Sequence, residues 1–309
     1  MRQKVMVLGS AVVDLMARTP HLPVPGETVR GSSFRQSSGG KGLNQGIAAC
    51  KSGGDVDMVM KLGRDTLADV PLRAMDEAGL RRDCVFYHES VATGVSLINV
   101  DEGTSQNEIV IVPGACATLT GEDLDAISGR LKASAYLLLQ LEINQDANEA
   151  AARLAKANGV RVILNPAPCQ PLSDDFLNGL YLVTPNEVEV EALTGVAVTD
   201  QTSADCAAQV LFDKGVQHVL ITLGGRGVYL NTEGRSEIIP AYRVDAVDTT
   251  GAGDAFNGGL LTALSEGKSL REAARFANAL AALSVQRYGA APSMPTREEI
   301  EAFLAAHGA

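Results

Sequence analysis

The sequence predicts a three-layer α/β/α fold, with a central, mostly parallel sheet covered by helices on both faces and a small β-sheet lid beside it. Two observations carry this prediction. Short apolar runs that read as buried strands alternate with stretches of helical period. Two other stretches hold strands with no helix between them.

Lys4-Val5-Met6-Val7-Leu8-Gly9 reads as the first buried strand. Similar runs return at 135–141, 160–164, 181–184 and 219–223, and helical patterns occupy 42–51, 146–158, 188–193, 203–214 and 270–287. Strands joined through helices in this way build a parallel sheet with both faces covered. The rhythm breaks at 24–34, and again at 93–100 followed by 108–112. The second pair, joined through Asp101-Glu102-Gly103-Thr104-Ser105, has the pattern of a hairpin. These strands form either a separate small sheet that closes over a pocket as a lid, or an extension of the main sheet's edge.

A chain of 309 residues can bury a full core as one large domain or two small ones. Hydrophobic residues make up 46% but are spread out, with no run long enough to span a bilayer. The start, Met1-Arg2-Gln3-Lys4-Val5, enters a strand rather than a signal sequence, and the expected location is cytoplasmic. A net charge of -11 argues against a nucleic-acid or membrane surface, both of which need clustered basic charge. The five cysteines are separated by at least 32 residues, with no C-x-x-C spacing, and read as reduced structural thiols. The four histidines are isolated, which disfavours metal or triad chemistry.

Ser37-Ser38-Gly39-Gly40-Lys41-Gly42-Leu43-Asn44-Gln45 fails as a P-loop, because that motif needs glycine where Arg35 stands and a hydroxyl residue where Gly42 stands. What remains is a glycine-rich turn entering a helix. Lys41 and Asn44 either offer donors to a polar ligand there or belong to a simple flexible turn. After the first strand, Gly9-Ser10-Ala11-Val12-Val13-Asp14 lacks the further glycines of a dinucleotide fingerprint, which demotes a nicotinamide enzyme. Asp14 follows a strand's carboxyl end, where open α/β sheets bind ligands, and is either an acceptor for substrate hydroxyls or a helix cap or solvated charge. In Thr184-Pro185-Asn186-Glu187-Val188-Glu189, Asn186 and Glu189 share a helix face. They either organise magnesium and its waters or form an acidic helix start. Thr222-Leu223-Gly224-Gly225-Arg226-Gly227 pairs a strand end with flexible backbone near a possible nucleotide.

Asp248-Thr249-Thr250-Gly251-Ala252-Gly253-Asp254 places two glycines and a carboxylate where the helix from Ala255 begins. The N–H groups at a helix start lack intrahelical partners and carry the positive end of the helix dipole, so a phosphate can sit there. Asp254 is then either a base for a nucleophilic hydroxyl or a helix cap.

Taken together and in this order, these segments resemble the ribokinase branch of the PfkB family of sugar kinases. The resemblance runs over essentially the whole chain. Its strongest parts are Gly39-Gly40-Lys41-Gly42-Leu43-Asn44-Gln45 and Asp248-Thr249-Thr250-Gly251-Ala252-Gly253-Asp254. Gln140-Leu141-Glu142, Asn165-Pro166-Ala167-Pro168, Thr184-Pro185-Asn186-Glu187 and Gly289-Ala290-Ala291-Pro292-Ser293 support them. The resemblance implies one kinase domain over 1–309 with lid strands near 12–35 and 93–112. It also implies transfer of the γ-phosphoryl of MgATP to a sugar's primary hydroxyl, the 5-hydroxyl if the sugar is ribose. Asp254 would be the base, and the N–H groups of Gly251, Ala252 and Gly253 would stabilise the transferring phosphoryl. Asp14, Gly40, Lys41, Asn44 and Glu142 would hold the sugar. Asn186 and Glu189 would act near Mg2+ and the phosphates, with Thr222, Gly224, Gly227 and Asn278 around the nucleotide. An activating K+ would map to Asp248, Thr250, Ser284, Arg287, Gly289 and Ser293, several through backbone carbonyls. The lid would also form a homodimer contact.

One departure bears on the sugar. The family usually reads G-S-x-N-x-D after the first strand, but Val12 stands where that asparagine would be. A sugar hydroxyl left unpaired costs roughly 1–3 kcal/mol, about ten- to a hundred-fold in affinity, unless water or a neighbour compensates. A sugar lacking that hydroxyl loses nothing, and 2-deoxyribose kinases also carry an apolar residue in this region. Ribose leads by overall resemblance, with 2-deoxyribose the rival and a nucleoside a further alternative. A fructose phosphate is less favoured for want of a basic cluster. A non-catalytic sugar or nucleotide sensor on the same fold is the reading from another class.

Overall fold

A computed structural model describes residues 2–104, 106–232 and 234–308 of the chain. Ser105, expected in the lid hairpin's turn, lies outside the described residues. In chain order the strands are β1 (Lys4–Leu8), β2 (Val12–Thr19), β3 (Ser33–Gly39), β4 (Asp55–Gly63), β5 (Val85–His88), β6 (Thr93–Asp101), β7 (Asn107–Gly114), β8 (Tyr136–Leu139), β9 (Arg161–Leu164), β10 (Leu182–Val183), β11 (His218–Thr222), β12 (Val228–Thr232) and β13 (Arg235–Ile239). The helices are α1 (Lys41–Lys51), α2 (Asp69–Ala78), α3 (Gly121–Lys132), α4 (Gln145–Ala157), α5 (Asp174–Leu177), α6 (Glu187–Thr194), α7 (Gln201–Asp213), α8 (Ala252–Ser265), α9 (Leu270–Ser284) and α10 (Arg297–Ala306).

Among the described residues, one sheet runs in the order β13-β12-β11-β10-β9-β8-β1-β4-β5, and a second in the order β3-β2-β6-β7. From β11 through β5 every pairing of the first sheet is parallel, and β12 and β13 finish it as antiparallel strands with β13 at the edge. Alternation along the strands feeds two cores. Val5 and Val7 of β1 and Leu138 of β8 pack with α1, α2, α8 and α9. Met6, Leu8, Leu137 and Leu139 face the other way, toward α3, α4 and α7. The fold is therefore the expected three layers with a small separate sheet. No helix of the described residues is long and apolar enough to cross a membrane.

Two expected boundaries shift, each for a local reason. Residues 24–32 are not a strand: Glu27 N–H closes a turn on Val24 C=O at 2.9 Å, and the Glu27 carboxylate accepts from Val24 N–H. The extended segment begins at Ser33 and pairs with β2. The last expected helix stops at Ser284, where Val285 C=O instead accepts from Val247 and Asp248 N–H at 2.7 and 3.1 Å.

Strand β4 carries two buried charges, both paired. Lys61 donates to Asp123 Oδ2 at 2.7 Å and to Thr118 C=O at 2.9 Å, while Asp57 receives Arg81 and Arg130. Removing one member of a buried pair costs several kcal/mol, so Lys61→Met is expected to lower unfolding stability by about 3 kcal/mol in urea titrations. Burial opposes ionisation of Asp123, but the Lys61 and Thr120 bonds outweigh it and hold its carboxyl below 3.8. That stabilisation is complete above 3.8 and lost as pH falls through the folded value, so the gap between wild type and Lys61→Met narrows in acid.

Candidate active site

The sequence motifs converge at the carboxyl ends of the parallel strands. The chain leaves β1 toward β4 on one side and returns to β8 on the other, so β1 and β8 flank a topological switch point, where open α/β sheets form their binding crevice. Ser10, after β1, donates to Glu142 Oε2, after β8, at 2.5 Å. The same oxygen accepts from the backbone N–H of Lys41 at 2.8 Å, so Glu142 holds the start of α1 against both strand ends. Gly40 caps that helix at φ 92, and a Cβ there would meet Ser10 and Ala11 backbone at about 2.9 Å. Gly39 lies beneath Asp14, leaving no room for a side chain between β3 and that carboxylate.

Helix α8 is buried along nearly its whole length between α1 and α9. Gly258 makes this possible, because a Cβ there would lie 2.5 Å from Ala48 Cβ and 2.7 Å from Gln45 C=O. Asp254, one turn earlier on the same face, therefore reaches α1. Its Oδ2 accepts from Asn44 Nδ2 and its Oδ1 from Gln45 Nε2, each at 3.0 Å. Gly251 enters the helix at φ 75. Among the described residues no backbone acceptor meets the N–H groups of Gly251, Gly253 or Asp254, whereas that of Ala252 is used by Thr249 C=O at 3.1 Å.

Three carboxylates act on one ammonium here. Burial works against the charge of Lys41, but Asp254, Glu142 and Glu189 outweigh it and raise its pKa. Burial raises Asp254 above 3.8, with Lys41, Gln45 and Asn44 opposing. Burial likewise raises Asp14, with a Ser96 hydrogen bond opposing and Glu142 adding to the rise. Glu189 is also raised by burial. The site can hold a polyol by its hydroxyls and take a proton at Asp254.

Beyond Gly253 opens a cavity of about 660 Å³, large enough for a nucleotide. Thr222, Gly224, Gly227, Asn278 and Asn186, all expected near a nucleotide, line it, and so do Ala252 and Gly253. Asn278 also donates to Pro240 C=O at 3.2 Å, tying α9 to the segment after β13. Sequence reading missed the apolar walls, such as Tyr242, Val244, Phe256 and Val285. Most of these lie on coil or on a buried helix face, where periodicity carries no ligand signal. Gln45 and Ser10 stand inside the glycine-rich segments, but their contacts with Asp254 and Glu142 join residues far apart in the chain, which spacing does not reveal.

Asn186 and Glu189 cap each other: Glu189 N–H donates to Asn186 Oδ1 and Asn186 N–H to Glu189 Oε2, both at 2.8 Å. The helix-start reading is thus realised, while Glu189 Oε1 and the Asn186 amide nitrogen lie outside the box. On the other side of α8, Asp248 receives N–H bonds from Thr250 at 2.9 Å and Gly289 at 2.8 Å, joining the two loops expected to hold a cation. Ser284 and Ser293 hydroxyls turn back onto Ala281 and Ala290 carbonyls. The Arg287 guanidinium is paired with Glu299, which leaves its backbone for any such task. Ala290 packs against Gly251, so this loop supports the glycine turn from behind.

Residues 2–297 match the profile described as pfkB family carbohydrate kinase. The chain belongs to that family. The kinase is 43% identical over 304 residues to the ribokinase of Haemophilus influenzae, covering 98% of this chain and 99% of that one. It is 35% identical over 301 residues to the deoxyribokinase of Salmonella typhi, covering 97% and 98%. The structure of Arabidopsis thaliana ribokinase complexed with ribose and ATP superposes with a TM-score of 0.91 at 32% identity, covering 98% and 99%. This is a sugar kinase, a phosphotransferase acting on an alcohol.

Proposed function

We propose that this kinase transfers the γ-phosphoryl of MgATP to the 5-hydroxyl of D-ribose, as a single domain over 1–309 with β2, β3, β6 and β7 as its lid. One observation carries the reading: Asp254 sits two residues from Ala252 and one from Gly253, which line the nucleotide-sized cavity, while its own carboxylate faces the polar cluster of α1. Base and phosphate site are thus adjacent on one helix start. Phosphoryl transfer needs positioning and charge stabilisation more than covalent chemistry, and this geometry supplies both.

In this account Asp14, Lys41, Asn44 and Glu142 bond the sugar hydroxyls, and Gly40 lets the backbone come close. Asp254 accepts the 5-hydroxyl proton as that oxygen attacks. The open N–H groups of Gly251 and Gly253 meet the negative charge of the phosphoryl. Thr222, Gly224, Gly227 and Asn278 surround the nucleotide, and closure of the lid keeps water out. Glu189, with Asn186 beside it, offers a hard oxygen of the kind that holds Mg2+ through its waters, and the ion when bound screens phosphate charge. The loops joined by Asp248 and Gly289 offer backbone carbonyls suited to K+, with Thr250, Ser284, Arg287 and Ser293 around them.

The lid also favours a homodimer. Strand β7 exposes Ile109, Val110, Ile111 and Val112, each about half accessible, and Phe34 on β3 is 68% exposed. β7 and β3 are the two opposite edges of that sheet, and exposed apolar edge strands of this kind are covered in most soluble proteins.

A second sugar is favoured by one observation. Val12 is buried, pairs with Gly39 and Gly94 in the lid sheet, and presents no amide beside Asp14. That suits 2-deoxyribose, and a relative is a deoxyribokinase. ADP release with MgATP and K+ over ribose, 2-deoxyribose, ribonucleosides and fructose phosphates separates the readings. Turnover led by ribose supports the proposal, a lead by 2-deoxyribose moves the assignment to that sugar, and no turnover with either pentose overturns both.

A further inference from the structure

We propose that Gln45 is a positioning residue: its side-chain amide fixes the Asp254 carboxylate in the orientation from which it takes the sugar proton. This rests on the reading of Asp254 as base. Gln45 lies on α1, fully buried, and cannot touch substrate itself. Its Nε2 donates to Asp254 Oδ1 and to Asn165 Oδ1, each at 3.0 Å, and its Oε1 accepts from Gln140 Nε2 at 2.6 Å.

The direction of this amide is set by its neighbours. Asn165 Nδ2 is spent on Thr184 C=O at 3.1 Å, so the Asn165 oxygen must face Gln45. Gln140 Nε2 already donates to the other end. A flipped Gln45 would set its oxygen against two acceptors, the Asp254 and Asn165 oxygens. Only the donor end can face Asp254. Asn44 grips the other oxygen, so α1 holds the carboxylate at both atoms. Since Asn44 is also offered to the sugar, Gln45 is the contact that stays in place throughout turnover.

The charged groups facing Asp254 are Lys41 on α1, Glu142 after β8 and Glu189 on α6. Lys41 favours the ionised base and the two glutamates disfavour it. A donor on Oδ1 adds to the ionised side, so its loss leaves Asp254 protonated to higher pH. Gln45→Met keeps length and removes the donor. Gln45→Glu keeps shape and sets a second carboxyl against Asp254.

The test is the pH profile of kcat/KM for the sugar at saturating MgATP, with unfolding midpoints measured alongside. Gln45→Met is expected to move the acid limb up by about one pH unit. Gln45→Glu should move it further, because two adjacent carboxyls share a proton. Limbs that stay at the wild-type pH, with activity reduced only in step with lost folded protein, would overturn the proposal. If Gln45→Met does not fold, the near-isosteric Gln45→Glu decides alone. Asp254→Asn separates the two levels: surviving turnover removes the base reading itself, whereas lost turnover beside unmoved Gln45 limbs removes only this inference.

Discussion

Asp254→Asn is expected to lower kcat for sugar phosphorylation by a factor of about 10²–10⁴, the usual worth of a positioned general base. The substituted amide keeps nearly the same volume in a site that is 6% exposed, so the fold and the neighbouring phosphate site should persist. The sugar KM should change far less than kcat, because Asp14, Asn44 and Glu142 remain. Steady-state kinetics under saturating MgATP read this split. In the wild type, burial raises the Asp254 pKa above 3.8, with Lys41 and the two amides opposing. A base must be ionised to act. Activity is therefore expected to rise with pH through a limb lying above the range of a solvent-exposed aspartate.

Gly258→Ala is the second large effect, and it acts entirely through packing. The added methyl would lie 2.5 Å from Ala48 Cβ and 2.8 Å from Ala49 N, so α8 must move away from α1. Overpacking of this kind costs about 1–3 kcal/mol. The same displacement carries Asp254 away from Asn44 and Gln45, and a shift of about 1 Å at a reacting group can cost roughly a hundred-fold in rate. A lower melting temperature together with kcat reduced beyond any change in folded fraction is the expected pair of results. Unchanged kcat would show that contact between α8 and α1 does not set the base.

The central strands were legible because β1, β8, β9 and β11 are continuous apolar runs. Strand β4 was not, since Asp57 and Lys61 interrupt it, and only the partners Arg81, Arg130 and Asp123, distant in sequence, make those charges tolerable in the interior. The edge strands β5 and β13 are short and partly exposed, where alternation is weak. The site divides similarly. Motif residues such as Asp254, Asn44 and Glu142 could be named from order and spacing, but not that Glu142 is shared between Ser10 and the start of α1. The role of Gly258 as a contact surface depends on Ala48, a residue some 210 positions earlier.

Identifying the product decides whether this kinase places phosphate on the 5-hydroxyl of ribose. Purified protein incubated with MgATP, K+ and D-ribose, followed by proton-coupled 31P NMR, should show ADP and a phosphomonoester split by two methylene protons, the signature of phosphate on the 5-hydroxyl. A doublet from phosphate on a ring-carbon hydroxyl, or ATP consumed to inorganic phosphate with no sugar ester, would contradict it.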